Sequence, residues 1–158
     1  MNDLARKVGR RLRAAGAMLV TAESCTGGWV SEVVTSVSGS SRWFERGFVT
    51  YSDAAKRQML GVNKKTLRRH GAVSQETARE MARGALKRSR GSIAIAVTGV
   101  AGPTGGSAAK PVGMVCFAFV TLKRVLSETQ YFKGNRESVR RQSVVRALEG
   151  VLELLDGG

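Results

Sequence analysis

Near its N-terminus the chain carries AMLVTAESCTGGW, residues 17–29, and this stretch decides how the fold begins. An apolar run leads into three neighbouring nucleophiles, Ser24, Cys25 and Thr26, and two glycines follow before a helix-like segment. This order predicts a buried strand, a turn and a helix, with reactive oxygen and sulfur atoms at the junction. Ligands of α/β proteins commonly bind where a strand ends and a helix begins. The amides of the new helix are expected to face outward and to favour negative charge.

Working outward from this junction, apolar spacing and turn residues predict alternating helices and strands. Ser52, Asn63, Ser74 and Asn135 are of the types that cap helix N-termini. The helices are expected over 3–15, 27–37, 53–60 and 63–69, and from 74 and 135 onward. The strands are expected over 18–22, within 43–51, and over 92–97, 112–121 and 125–132. The last two strands are expected to form an antiparallel hairpin, and the alternation predicts an α/β layered domain.

Length and charge restrict the class of protein. The 158 residues suit a single domain, expected over 1–158. No apolar stretch approaches the roughly 20 residues that span a membrane, and the basic N-terminus lacks the apolar region of a signal peptide. A cytoplasmic location and no membrane partner are therefore expected. The net charge of +14 comes largely from scattered arginines opposite apolar positions, which is typical of solvated helix faces. An anionic small molecule is favoured over specific nucleic-acid binding, and DNA association stays open as an alternative.

The inventory of histidine and cysteine disfavours several kinds of site. Cys25 and Cys116 are isolated and His70 is the only histidine, so neither a zinc site nor a disulfide framework is predicted. No metal and no cofactor are expected. His70 ends a helix-like segment, where it is expected to interact with the helix dipole rather than to catalyse. A Ser-His-Asp triad is accordingly disfavoured.

Lys56 is the best candidate for a base. A serine hydroxyl needs a base to attack at neutral pH, and a lysine can serve only when its pKa is lowered enough to leave it neutral. With Ser52 as cap, Lys56 lies in the first turn of a helix, whose positive dipole end disfavours its charge. Tyr51 could relay a proton, whereas Asp53 would raise the lysine pKa. The alternative is an ordinary exposed helix lysine.

A glycine-rich segment over 98–107 follows the strand expected at 92–97. Its backbone amides could approach a phosphate closely, but no Gly-Lys-Ser/Thr follows, so it is not a P-loop. A flexible connection is the alternative. Its position at the end of a buried strand favours ligand binding, with these substrate-binding candidates: Thr98, Gly99, Gly102, Gly105 and Gly106.

Five motifs together resemble the CinA C-terminal domain family. They run in the family order over nearly the whole chain: TAESCTGG at 21–28, YSDAAK at 51–56, GAVS at 71–74, TGVAGP at 98–103 and KPVG at 110–113. The resemblance implies a three-layer α/β/α sandwich with a mixed, mostly parallel five-stranded sheet. It also implies the form in which this domain stands alone, and a homo-oligomer is expected. Asp53-Ala54 replaces a common Asn-Glu pair, and Ala109 replaces a common acidic residue.

The resemblance further implies an amidase in pyridine nucleotide salvage, which converts nicotinamide mononucleotide to nicotinate mononucleotide and ammonia. Ser24 would attack the carboxamide while Lys56 accepts its proton, and Lys56 or Tyr51 would protonate the leaving ammonia. Amides near Cys25, Thr26 and Gly27 would stabilise the oxyanion. Glycine amides with Arg140 or Arg141 would hold the phosphate.

Two alternatives stay open at this point. Cys25 is intrinsically the stronger nucleophile, but neighbouring side chains of an extended segment point opposite ways, and the resemblance favours Ser24. A catalytically weak nucleotide-binding or regulatory module is the alternative function. Loss of Ser24 or Lys56 would mark such a module, and both residues are present.

Overall fold

The computed structural model describes residues 1–157, which form six α-helices and five β-strands. The helices are α1 Asn2–Ala14, α2 Trp29–Thr35, α3 Asp53–Leu60, α4 Lys64–His70, α5 Gln75–Lys87 and α6 Arg136–Asp156. The strands are β1 Leu19–Glu23, β2 Phe44–Val49, β3 Ile93–Gly99, β4 Met114–Thr121 and β5 Val125–Tyr131. Within these residues, no helix combines the length and the apolar character that crossing a membrane requires.

The five strands form one mixed sheet in the order β2-β1-β3-β4-β5. Strands β2, β1 and β3 pair in parallel, whereas β4 runs antiparallel to both β3 and β5. Four strands therefore share one direction and β4 alone opposes them, although half of the neighbouring pairs are antiparallel. The predicted five-stranded mixed sheet and the hairpin of its last two strands are confirmed.

Helices cover both faces of this sheet, because its side chains alternate between two apolar clusters. Leu19, Ile95 and Phe117 pack with residues of α1, α2 and α6. Their strand neighbours Val20 and Ala96 pack on the other side with residues of α3, α4 and α5. The α/β/α sandwich is therefore confirmed.

The helix boundaries follow from capping side chains and glycines. All four predicted caps are confirmed, since the Ser52, Asn63, Ser74 and Asn135 side chains each accept a hydrogen bond from an amide of the helix that follows. Helix α2 begins two residues later than the prediction of residue 27. Gly27 and Gly28 have φ values of 60° and 103°, in the left-handed region that a right-handed helix excludes.

The parallel strands bring three loops to one edge of the sheet. Glu23, at the end of β1, lies in register with Val97 of β3 and Val49 of β2. The segments that follow these strands are residues 24–28, 50–52 and 100–107. They converge at the carboxyl ends of neighbouring strands, where α/β sheets bind ligands.

Candidate active site

A buried lysine contacts the serine of the first loop. Lys56 extends from the first turn of α3, and only 1% of its surface is exposed. Its Nζ lies 2.9 Å from Ser24 Oγ and donates to Thr50 O over 2.8 Å. Thr50 is itself fixed because its amide donates to the Glu23 carbonyl. The structure thus brings Ser24 and Lys56 into hydrogen-bond contact.

Burial lowers the pKa of Lys56 below its ordinary value. Desolvation is the largest cause, while the charge of Asp53 acts in the opposite direction. Loss of water around the ammonium, rather than the helix dipole expected from the sequence, is therefore the main effect. Among residues 1–157, no carboxylate comes within ion-pair distance of Lys56. A neutral amine in this position can donate to Thr50 O and accept the Ser24 proton through its lone pair.

The segment 24–28, here called the nucleophile turn, is held by the carboxylate that precedes it. Glu23 is buried, and one of its oxygens accepts from the amides of Gly28 and Val30 at 3.2 and 2.9 Å. The other accepts from the Ser31 amide and hydroxyl at 3.0 and 2.7 Å. The first amides of α2 therefore bind the chain's own buried carboxylate. They favour negative charge as expected, but the expectation that they face outward was wrong. Sequence reasoning missed Glu23, although an acidic residue before a glycine turn was a visible signal.

Two amides of the nucleophile turn, those of Cys25 and Thr26, have no oxygen acceptor among residues 1–157. The Gly27 amide donates to Ser24 O over 3.0 Å, and the Ser24 amide donates to Val97 O over 2.9 Å. Of the three amides predicted for an oxyanion site, Gly27 is thus already engaged.

The thiol beside the serine is poorly suited to attack. Cys25 is buried among the apolar residues below α1, α2 and α6. Burial raises the pKa of its thiol to about 12, so almost none of it is thiolate near neutral pH, and the thiolate is the nucleophilic form.

A cavity of about 270 Å³ opens above the pair. Four of the five predicted substrate-binding residues of the glycine-rich segment line this cavity, and Gly106 does not. The wall of the cavity comprises Ser24, Cys25, Tyr51, Lys56, Ala72, Val73, Thr98, Gly99, Val100, Ala101, Gly102, Thr104, Gly105 and Arg136. A cavity of about 440 Å³ between α3 and α4 has neither Ser24 nor Lys56 in its wall.

Arg136 is the cation of the cavity wall, and sequence reasoning missed it. Its Nη1 donates to Gly102 O over 2.8 Å, and its Nη2 donates to Tyr51 Oη over 3.0 Å. Tyr51 is 63% exposed, and its hydroxyl bonds to Arg136 rather than to Ser24 or Lys56. The sequence feature that could have identified Arg136 is its position directly after the cap Asn135, at the start of α6.

The two predicted phosphate ligands lie outside this wall. Arg140 donates from Nε and Nη2 to the carbonyls of Cys25 and Thr26, each over 3.1 Å. Arg141 pairs with Glu137 at 3.0 Å. Both guanidinium groups lie over the ring of Trp29, at 5.2 and 5.3 Å from its centre.

His70 lies away from the cavity that holds Ser24 and Lys56. His70 ends α4, is exposed, and has its Nδ1 3.3 Å from a Glu76 oxygen. It is absent from the cavity wall. Within residues 1–157, no group of three or more His, Cys, Asp or Glu side chains is arranged to hold a metal ion.

Comparisons with known proteins agree with the motifs. The model of the CinA C-terminal domain matches residues 1–155. The nicotinamide-nucleotide amidohydrolase PncC of Escherichia coli is 54% identical, covering 93% of this chain and 90% of that protein. The protein of the same name from Pseudomonas putida is 53% identical, covering 98% and 96%. A crystal structure of a CinA superfamily protein from Klebsiella pneumoniae superposes with a TM-score of 0.96 at 38% identity, covering 99% and 98%.

Proposed function

This chain belongs to the CinA C-terminal domain family, and on that premise we propose that it hydrolyses the carboxamide of nicotinamide mononucleotide. The products are nicotinate mononucleotide and ammonia, as in pyridine nucleotide salvage. The names of the E. coli and P. putida relatives support the substrate class. The observation that carries the proposal is the 2.9 Å contact between the Nζ of the buried Lys56 and Ser24 Oγ.

In the proposed reaction Ser24 Oγ attacks the amide carbon while neutral Lys56 accepts the hydroxyl proton. The amide of Cys25, which lines the cavity, donates to the oxyanion, and one such donor contributes about 2.7–4 kcal/mol to transition-state stabilisation. Thr26 is fully buried outside the cavity wall. Collapse of the tetrahedral intermediate breaks the C–N bond, and Lys56 passes its proton to the departing ammonia. Water then attacks the ester on Ser24, with Lys56 again as base. Tyr51 is proposed to orient the substrate through Arg136, with a relay role as the alternative.

We place the phosphate of the substrate beside Arg136 and the glycine-rich loop, residues 100–107. Arg136 is the arginine of the cavity wall, its Nη1 bonds to Gly102 O, and Gly105 lines the same wall. A guanidinium group and backbone amides are both common partners of phosphate oxygens. Neither Arg140 nor Arg141 is retained as a phosphate ligand. The donors of Arg140 point to the nucleophile turn, and Arg141 pairs with Glu137 outside the cavity wall.

An ammonia-release assay with nicotinamide mononucleotide tests the proposal. Lys56→Met should lower turnover by about 10⁴-fold, because general base catalysis is lost, and Ser24→Ala should lower it at least as much. Lys64→Met changes an exposed lysine of α4 and should leave turnover within about twofold, in line with the small effects of surface substitutions.

Two results would contradict parts of this proposal. Near-normal turnover in Ser24→Ala or Lys56→Met would exclude Ser24 and Lys56 as the nucleophile and its base. Binding of nicotinamide mononucleotide by calorimetry without ammonia release from the unmodified protein would favour the nucleotide-binding module instead.

A further inference from the structure

Arg140 reaches across the molecule to the nucleophile turn. It lies on α6, and its planar fork donates to two consecutive carbonyls, those of Cys25 and Thr26, each over 3.1 Å. The same guanidinium packs over Trp29, the first residue of α2. Arg140 therefore touches the turn and the helix that follows it, and it is not itself part of the cavity wall.

Each of the two carbonyls shares a peptide plane with an amide of the turn. The Cys25 carbonyl shares its plane with the Thr26 amide, which lies buried within the turn. The Thr26 carbonyl shares its plane with the Gly27 amide, which closes the turn onto Ser24 O. Because a peptide unit is rigid and trans, fixing its oxygen also fixes the direction of its N–H on the opposite side.

We infer that Arg140 is a positioning residue that orients the oxyanion-binding amide of Cys25. It fixes the Gly27 amide, which donates to the Ser24 carbonyl at the opposite end of the Cys25 peptide unit. The inference rests on the proposed function, since it assumes that an oxyanion forms at Ser24. A hydrogen bond from a cation to a carbonyl also strengthens the N–H of the same peptide as a donor. Arg140 thus acts through the backbone and does not contact the substrate.

Arg141 provides a matched control beside it in the chain. It lies over the same Trp29 ring at nearly the same distance, but its guanidinium pairs with Glu137 on the surface of α6. The two arginines share charge, helix and aromatic contact, and they differ in the bonds to the nucleophile turn. A difference between their variants therefore reports those bonds.

The experiment compares Arg140→Met with Arg141→Met in two reactions. The first is ammonia release from nicotinamide mononucleotide. The second is acylation of Ser24 by p-nitrophenyl acetate. The increase in intact-protein mass measures it, and Ser24→Ala serves as the blank. The ester carries no phosphate but forms the same kind of oxyanion. Arg140→Met should slow both reactions by the same factor, about 100-fold, as expected for a misplaced catalytic group. The KM for the nucleotide should stay within about twofold, and Arg141→Met should match the parent protein.

Other outcomes would distinguish positioning of the turn from phosphate binding and from a surface role. A loss confined to the nucleotide, with a raised KM, would overturn the inference in favour of phosphate binding. Equal rates in the two variants would overturn it in favour of a surface role. If Arg140→Met does not fold, Arg140→Lys, which can reach one carbonyl, should still slow acylation about tenfold relative to Arg141→Lys, and parity between them would overturn the inference. A parent protein that acylates Ser24 but releases no ammonia would contradict the proposed function alone.

Discussion

The nucleophile turn and the glycine-rich loop follow neighbouring parallel strands, yet they are held very differently. The turn is held on one side by the four hydrogen bonds to Glu23 and on the other by the two from Arg140. In the loop, residues 103–107 are exposed, and Arg136 bonds to its Gly102 carbonyl. Covalent chemistry needs fixed donors and a fixed nucleophile, whereas a substrate-binding loop can close around its ligand. The contrast predicts that damage to the turn lowers kcat and damage to the loop raises KM.

The strongest way to break this contrast is to remove the carboxylate that holds the turn. Glu23→Ala leaves buried amides without an acceptor, and it should lower the free energy of unfolding by about 3 kcal/mol. The release of Ser24 from its position should lower kcat by about 100-fold. Urea unfolding and ammonia release measure the two effects.

Glu32→Ala serves as the control, because Glu32 lies exposed in the first turn of the same helix. It should change the unfolding free energy by less than about 0.5 kcal/mol. If Glu23→Ala behaved like Glu32→Ala in both measurements, the turn would not depend on its carboxylate.

A matched pair of glycine substitutions sharpens the contrast with smaller effects. Gly27 and Gly105 have φ values of 60° and 87°, and a Cβ at either would meet no atom closer than 3.6 Å. Alanine at either position costs about 1–2 kcal/mol of backbone strain. Gly27→Ala should lower kcat roughly tenfold with little change in KM, and Gly105→Ala should raise KM severalfold with kcat nearly unchanged.

Steady-state kinetics on nicotinamide mononucleotide distinguish the two glycine variants. The same pattern of kcat and KM in both would show that the two loops do not divide positioning from binding. Circular dichroism confirms that each variant is folded before the comparison is made.

The smallest effect concerns the thiol inside the turn. Because burial raises the pKa of Cys25 to about 12, iodoacetamide near neutral pH should leave activity unchanged over hours. Unfolding in urea should expose Cys25 and Cys116 to the reagent. Inactivation of the native protein at the rate of Cys25 modification, with Cys25→Ser resistant, would instead favour Cys25 as nucleophile.

Most of the fold could be predicted because its determinants are local. Ser52 and Asn135 predict the helices that they cap, and apolar runs such as 93–97 predict buried strands. The predicted start of α2 was wrong because the conformation of Gly27 and Gly28 depends on the hydrogen bonds that Glu23 accepts from the amides of Gly28 and Val30.

The site was less predictable because tertiary packing decides it. The contact between Ser24 and Lys56 was expected from motifs, but the lowered pKa of Lys56 comes from burial by distant segments. The roles of Arg136 and Arg140 depend on how α6 is rotated above a turn more than a hundred residues earlier in the chain. Helical spacing alone cannot distinguish an arginine that faces the cavity from one that faces the turn.

The pH dependence of kcat/KM tests the central claim, that a neutral Lys56 is the base for Ser24. Burial lowers the pKa of Lys56, so kcat/KM for ammonia release should rise tenfold per pH unit while the lysine is protonated. It should reach its plateau at a pH below the ordinary lysine value of 10.5, and Lys56→Met should lose this rise. A rate that climbs without a plateau to pH 10.5, or the same profile in Lys56→Met, would contradict the account.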